Sequence, residues 1–105
     1  MELRRLFWLK KIPILGICLG HQAIGEAFGA NIKKNKSIVH GKISNIYNDQ
    51  QSVLYNEIPK SFKATRYHSL IIDKNTLKIP IRVNSWLKDY TIMGIEHSKY
   101  PLYGV

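Results

Sequence analysis

The clearest pattern of apolar residues lies in the stretch Ile12–Phe28. It opens with a short apolar run that ends at Gly16, which is typical of a strand covered on both faces, as in a parallel sheet. After Cys18 the period changes. Apolar residues then recur at every fourth position, at Leu19, Ala23 and Ala27. That spacing predicts a helix, and Gly29 is a natural helix end, so the stretch predicts a strand, a bend at Cys18 and a helix.

The remaining patterns are mostly those of extended structure. Residues 33–36 are predicted to form a basic turn, followed by an extended segment from Ile38 to Tyr47. The cleanest alternation of apolar and polar residues spans 79–83 and predicts a half-buried strand. Short links without a helical period join these segments, so we expect this half of the sheet to be antiparallel or mixed. At the other end, residues 2–11 predict a short amphipathic helix.

The bend at Cys18 has the pattern of a nucleophile elbow. Gly16 and Gly20 bracket the cysteine, and such glycines leave room in a tight, strained turn between a strand and a helix. A helix N-terminus favours the thiolate form of a cysteine, and the N–H of Leu19 would be available to an oxyanion. A lone cysteine is otherwise most often a small buried apolar residue, so the nucleophile role depends on the surrounding bend.

Four stretches, taken together and in order, resemble class I glutamine amidotransferases. They are residues 13–22 followed by 27–29, residues 40–42, residues 66–70, and residues 93–95 running on to 104–105. The resemblance is strongest to the glutaminase component of anthranilate synthase and of aminodeoxychorismate synthase. It implies an α/β, flavodoxin-like three-layer domain with mixed or antiparallel C-terminal strands. We expect residues 1–105 to form one partial domain, without the family's N-terminal strands and C-terminal His-Pro-Glu segment.

The resemblance also implies a chemistry. Cys18 would attack the side-chain amide of glutamine, with Leu19 helping to form the oxyanion hole, and the ammonia would pass to a chorismate-using synthase subunit. No metal or organic cofactor is expected for this half-reaction. The residues implied to hold glutamine are Gln22, Ser69 and Leu70. Those implied to lie near the synthase subunit are His40 and Gly41, although a solvent-facing strand histidine would explain His40 equally well.

Other readings of the histidines stay open. His68 shares a predicted strand face with Arg66 and could act as a base for Cys18 in a different thiol hydrolase. Glu96 and His97 look like an acid–base pair, but neighbours in a strand point to opposite faces, so we expect a surface pair at a loop edge. His21 is expected to be structural. A catalytically inactive remnant that keeps the synthase-binding surface is a further alternative.

The length and composition of the chain limit which of these functions are possible. A chain of 105 residues is long enough for one small domain, and a single cysteine excludes an internal disulfide and fits a reducing compartment. No apolar run approaches the ~20 residues of a membrane span, so we expect a cytoplasmic protein, or one of the plastid stroma. The net charge of +9 is spread along the chain without a nucleic-acid recognition motif, and we expect no nucleic-acid partner.

Overall fold

Six strands form one sheet in the computed structural model, which describes residues 12–105 except for the side chains of residues 37 and 38. The strands are β1 (Ile14–Gly16), β2 (Ile32–Asn48), β3 (Ser61–Ile72), β4 (Ile81–Trp86), β5 (Ile92–His97) and β6 (Leu102–Gly104). One α-helix, α1 (Leu19–Ala27), follows β1, and short 3₁₀ turns occupy Val53–Tyr55 and Lys74–Thr76. The amphipathic helix predicted for residues 2–11 lies outside the described residues.

The order of strands across the sheet is β1-β6-β5-β4-β2-β3. β1 and β6 run parallel, and every other pairing is antiparallel. The prediction of a mixed or antiparallel C-terminal half is therefore confirmed. So is the predicted helix after Cys18, since α1 begins at the next residue and ends just before Gly29, whose φ of 96° suits a glycine.

Helix α1 packs on one face of the sheet and covers the apolar core. The buried apolar residues of this core are Ile24, Phe28, Ala30, Ile72, Ile81, Ile92, Ile95 and Leu102. The helix approaches closely where Gly25 faces β3, because a Cβ at Gly25 would lie 2.7 Å from Cδ1 of Ile72. The buried side of α1 is formed by His21, Ile24 and Gly25, whereas Leu19, which is 74% exposed, and Ala23 of the predicted apolar stripe face solvent.

Two local predictions are wrong. Residues 33–36 are part of β2 and not a turn, because Lys33 and Lys34 pair with Ile71 and Leu70 of β3. The strand before Cys18 is not covered on both faces within residues 12–105. Leu15 is 52% exposed there, because β1 is an edge strand of the described sheet and α1 covers one side of it.

Candidate active site around Cys18

Cys18 occupies the bend between β1 and α1. Its φ of 57° and ψ of −104° lie in a region that residues with a side chain rarely adopt, and its thiol is exposed. The Cys18 N–H donates to the carbonyl oxygen of Val105 at 2.8 Å, and its carbonyl accepts from the N–H of Gln22 at 3.1 Å. Bonds on both sides of the residue therefore hold the strained backbone in place.

The two bracketing glycines make this bend sterically feasible in different ways. A Cβ on Gly16 would lie 2.6 Å from the backbone carbon of Gly20, so the first glycine lets α1 start directly against β1. A Cβ on Gly20 would meet nothing within 4 Å. Leu19 is the first residue of α1, so its N–H is among those that have no acceptor within the helix.

A pocket of about 300 Å³ opens beside the thiol. Its lining comes from the bend, from α1, from β3 and from β5, and includes Cys18, His21, Gln22, Arg66, Tyr67, His68, Leu70 and Met93. Three predicted site residues are thus brought together: Cys18, Gln22 and Leu70. Leu19 and Ser69 are exposed and do not line the pocket, although each is the chain neighbour of a lining residue.

Gln22 and Leu70 are in direct contact across the pocket. The side-chain Nε2 of Gln22 donates to the carbonyl oxygen of Leu70 at 3.4 Å. This bond joins the first turn of α1 to β3, residues far apart in sequence. The contact holds the two elements that the resemblance assigns to substrate binding in one arrangement.

His68 is engaged at both ring nitrogens. Its Nε2 accepts from Nε of Arg66 at 3.1 Å, and its Nδ1 lies 3.2 Å from the carbonyl oxygen of Leu70. Burial lowers the pKa of His68; the hydrogen bond to the Leu70 carbonyl opposes this, and the positive charge of Arg66 adds a smaller lowering. In this arrangement neither nitrogen is available to Cys18. The hydrogen bond between Arg66 and His68 was not predicted from the sequence, which indicated only that the two residues share one face of a strand.

His21 is buried between α1 and β6. It is 7% exposed, and its Nδ1 lies against the backbone of Gly104. Burial lowers the pKa of His21 to about 4, with the Gly104 backbone acting in the opposite direction. The imidazole is therefore neutral near pH 7, which fits the expected structural position.

The whole sequence, residues 1–105, matches the family described as glutamine amidotransferase class-I. The chain belongs to this family. Anthranilate synthase component 2 of Saccharolobus solfataricus is 52% identical over 98 residues, which cover 91% of this chain and 50% of that protein. Its counterpart in Cyanophora paradoxa is 48% identical over 90 residues, which cover 86% of this chain and 47% of that protein. The chain thus spans about half the length of these amidotransferase relatives.

Solved structures show the same fold. A putative GMP synthase protein from Thermoplasma acidophilum superposes with a TM-score of 0.84 at 23% identity, covering 96% of this chain and 49% of that one. A glutamine amidotransferase from Thermotoga maritima superposes with a TM-score of 0.83 at 21% identity, covering 99% of this chain and 43% of that one. The expected α/β amidotransferase fold is confirmed, as part of a longer domain in these proteins.

His40 and Gly41 of this amidotransferase chain lie on an exposed part of β2. Gly41 has a φ of 78° and sits at an irregularity in the pairing of β2 with β3. The ring of His40 makes an edge contact with the ring of Tyr67, with centroids 5.3 Å apart. Because Tyr67 also lines the pocket and is 61% exposed, the exposed patch of His40, Gly41 and Tyr67 adjoins the pocket rim.

The expectation for Glu96 and His97 is wrong in one respect. Both are buried, at 7% and 5% exposure, and so do not form a surface pair. They do point to opposite faces: Glu96 binds Arg82 and Asn84, whereas His97 packs against Phe28. Side chains packed on each face of the sheet bury them: Arg82 and Asn84 cover Glu96, and the rings of Phe28 and Tyr100 cover His97.

Two further features bear on the class of protein. Among residues 12–105, no group of three or more His, Cys, Asp or Glu side chains could hold a metal ion. In the same part of the chain, no helix has the length and hydropathy required to cross a membrane.

Proposed function

We propose that this chain carries the nucleophile half of a glutaminase site, in an amidotransferase of the anthranilate synthase component 2 type. The observation that carries the proposal is the exposed thiol of Cys18 at a strained bend, directly beside a pocket that also contains Gln22 and Leu70. Residues 1–105 would then be one partial domain of this family. The names and the 52% identity of the relatives support the subunit type.

The reaction begins with attack of the Cys18 sulfur on the side-chain amide carbon of glutamine. The Leu19 N–H, at the start of α1, donates to the oxyanion of the tetrahedral intermediate. The carbon–nitrogen bond then breaks, the nitrogen takes a proton, and ammonia leaves a γ-glutamyl thioester on Cys18. Water cleaves the thioester to give glutamate and regenerates the thiol. Neither step requires oxidation or reduction.

Gln22, Ser69 and Leu70 hold the substrate in this proposal. The Gln22 side chain and the backbone of residues 69–70 form one continuous part of the pocket wall, joined by the hydrogen bond of 3.4 Å between Gln22 and Leu70. A glutamine bound against this wall would have its amide end near Cys18 and its amino-acid end at β3.

The chain by itself is expected to turn over little glutamine. Its sequence contains no His-Pro-Glu segment, which in the resembled family supplies the base and the carboxylate that orients it. Loss of a catalytic base typically lowers kcat by a factor of ~10⁴ or more. We therefore expect glutamate release from the purified chain to be at the level of its Cys18→Ala variant. Clear turnover that depends on Cys18 would contradict this expectation.

Selective alkylation tests the substrate site without requiring turnover. A chloromethyl ketone derived from glutamine should modify Cys18 faster than iodoacetamide does, and free glutamine should protect the thiol. The Gln22→Ala variant should lose this selectivity while its reaction with iodoacetamide stays unchanged. If the glutamine-derived reagent has no advantage and glutamine gives no protection, the chain does not have a glutamine site.

We further propose that the patch of His40, Gly41 and Tyr67 binds the chorismate-using synthase subunit, which would receive ammonia from the adjoining pocket. A His40→Ala variant should weaken capture of the purified synthase subunit. Lys99→Ala is a matched control, because Lys99 is exposed and precedes β6 at the end of the strands opposite to Cys18. Equal capture by the two variants would show that the patch does not form the interface. Capture of the subunit by a chain whose Cys18 glutamine does not protect would match the inactive-remnant alternative.

A further inference from the structure

Arg66 is a buried cation in the wall of the Cys18 pocket. It is 8% exposed, and within residues 12–105 no carboxylate lies within ion-pair distance of its guanidinium; the exposed Asp89 carboxylate attracts it only from farther away. A buried charge without a partner ion is costly unless hydrogen bonds replace its water. The side chain makes two such bonds, from Nε to His68 and from one terminal nitrogen to the hydroxyl of Ser44 at 3.2 Å.

The bond to His68 determines where the imidazole carries its proton. A guanidinium is always protonated and can only donate, so Nε2 of His68 must accept from Arg66. The proton of a neutral His68 is then on Nδ1, where it faces the carbonyl oxygen of Leu70 at 3.2 Å. That oxygen can only accept, so both contacts require the same tautomer.

The carbonyl of Leu70 receives a second hydrogen bond from Gln22 at 3.4 Å. A carbonyl oxygen has two lone pairs, and two side chains from different elements thus occupy both. Leu70 also pairs with Lys34 of β2, and the two donors add to that pairing by linking its carbonyl to His68 and to α1. A hydrogen-bond relay therefore runs from Arg66 through His68 to Leu70 and meets Gln22 there.

We propose that Arg66 is a positioning residue of the glutamine site. It fixes His68 in the tautomer protonated at Nδ1, and His68 then holds the Leu70 carbonyl in the orientation that Gln22 requires. The inference rests on the proposed glutamine site for its effect on substrate, but the relay itself is a property of the chain without ligand. Arg66 does not touch the reacting atoms.

The tautomer of His68 is the first test and needs no variant. Long-range proton–nitrogen correlation NMR of the purified chain should show the proton on Nδ1 of His68; a proton on Nε2 would overturn the inference. In Arg66→Met the second tautomer should become partly populated, because only the Leu70 carbonyl then favours the proton on Nδ1. Arg66→Lys should restore part of the wild-type signal, since an ammonium can also donate. Lys63→Met, an exposed change on the same strand, should leave His68 unaffected.

Glutamine affinity is the second test. Arg66→Met and His68→Phe should each raise the Kd for glutamine by about fivefold to tenfold, the scale of one weakened hydrogen bond. The double variant should be no weaker than either single variant, because the two residues act through one relay. Additive losses, or an unchanged Kd with a changed tautomer, would overturn the positioning role.

The two tests separate this inference from the proposed function. If the wild-type chain binds no glutamine while the tautomer responds to Arg66 as described, the glutamine site is wrong and the relay within the chain stands. If glutamine binds and the tautomer does not depend on Arg66, the site stands and the relay is wrong.

Discussion

The backbone N–H of Cys18 donates to the carbonyl oxygen of Val105 at 2.8 Å, which places the end of β6 directly beside the candidate nucleophile. The bond extends the parallel pairing of β1 and β6, in which Gly16 lies opposite Gly104. It also helps to hold the strained backbone of Cys18. Val105 also lines the pocket beside Cys18, so the end of β6 forms part of the wall of the candidate site.

Replacement of Cys18 by glycine should stabilise the chain relative to replacement by alanine. The φ of 57° and ψ of −104° strain a residue that has a Cβ, and glycine relieves that strain. We expect Cys18→Gly to exceed Cys18→Ala by about 1–2 kcal/mol in the free energy of unfolding by urea. At Thr65, an exposed strand position without a positive φ, the same comparison should favour alanine. A preference for alanine at both positions would contradict the strained bend.

The two glycines around Cys18 should respond oppositely to alanine. Gly16→Ala forces a Cβ to within 2.6 Å of the Gly20 backbone, so we expect a loss of about 3 kcal/mol in stability. Gly20→Ala meets open space within a helix and should add about 0.5–1 kcal/mol. Thermal and urea unfolding of both variants would measure the difference. Equal destabilisation would mean that α1 does not start against β1 as described.

Acid should destabilise the chain partly through His21. Its pKa in the folded chain is about 4, below the ordinary 6.5, so the unfolded chain binds more protons in this range. Above pH 6.5 the buried, neutral His21 costs the folded chain nothing in protonation. As the pH falls towards 4, the free energy of unfolding decreases through this group by about 3 kcal/mol in total. His21→Leu should therefore lose less stability than wild type between about pH 7 and pH 4. Identical pH profiles from urea unfolding would contradict a buried neutral His21.

Arg82 should stabilise the side of the sheet that faces away from α1. Its two terminal nitrogens bind Asp49 and Glu96, at 2.6 and 2.9 Å. Arg82→Met would leave the buried Glu96 carboxylate without its cation, at a loss of about 2 kcal/mol after allowance for the partial exposure of Arg82. Lys88→Met, at an exposed position, is the control, and urea unfolding is the measurement. A loss no larger than that of the control would make this network energetically unimportant.

Predictions from the sequence were most accurate for elements that depend on residues close together along the chain. The helix that starts after Cys18 depends on residues within a few positions of one another, and both its start and its end were predicted. Predictions were weakest where partner strands determine the environment. The lysines at 33 and 34 suggested a turn, yet backbone pairing with β3 makes them part of a strand, with their charged side chains exposed. Glu96 suggested a surface position, yet it lies buried beside Arg82.

The sequence by itself determined the bend at Cys18, because glycine spacing and helical period act over short distances and do not depend on the rest of the fold. The resemblance of four stretches to a known family indicated the family without the structure. Only the tertiary structure decided which side chains meet the thiol pocket. Gln22, Arg66 and His68 converge on it because the pairing of strands, and the packing of α1 across them, bring distant segments together. Their hydrogen bonds depend on positions in space, which residue order along the chain does not encode locally.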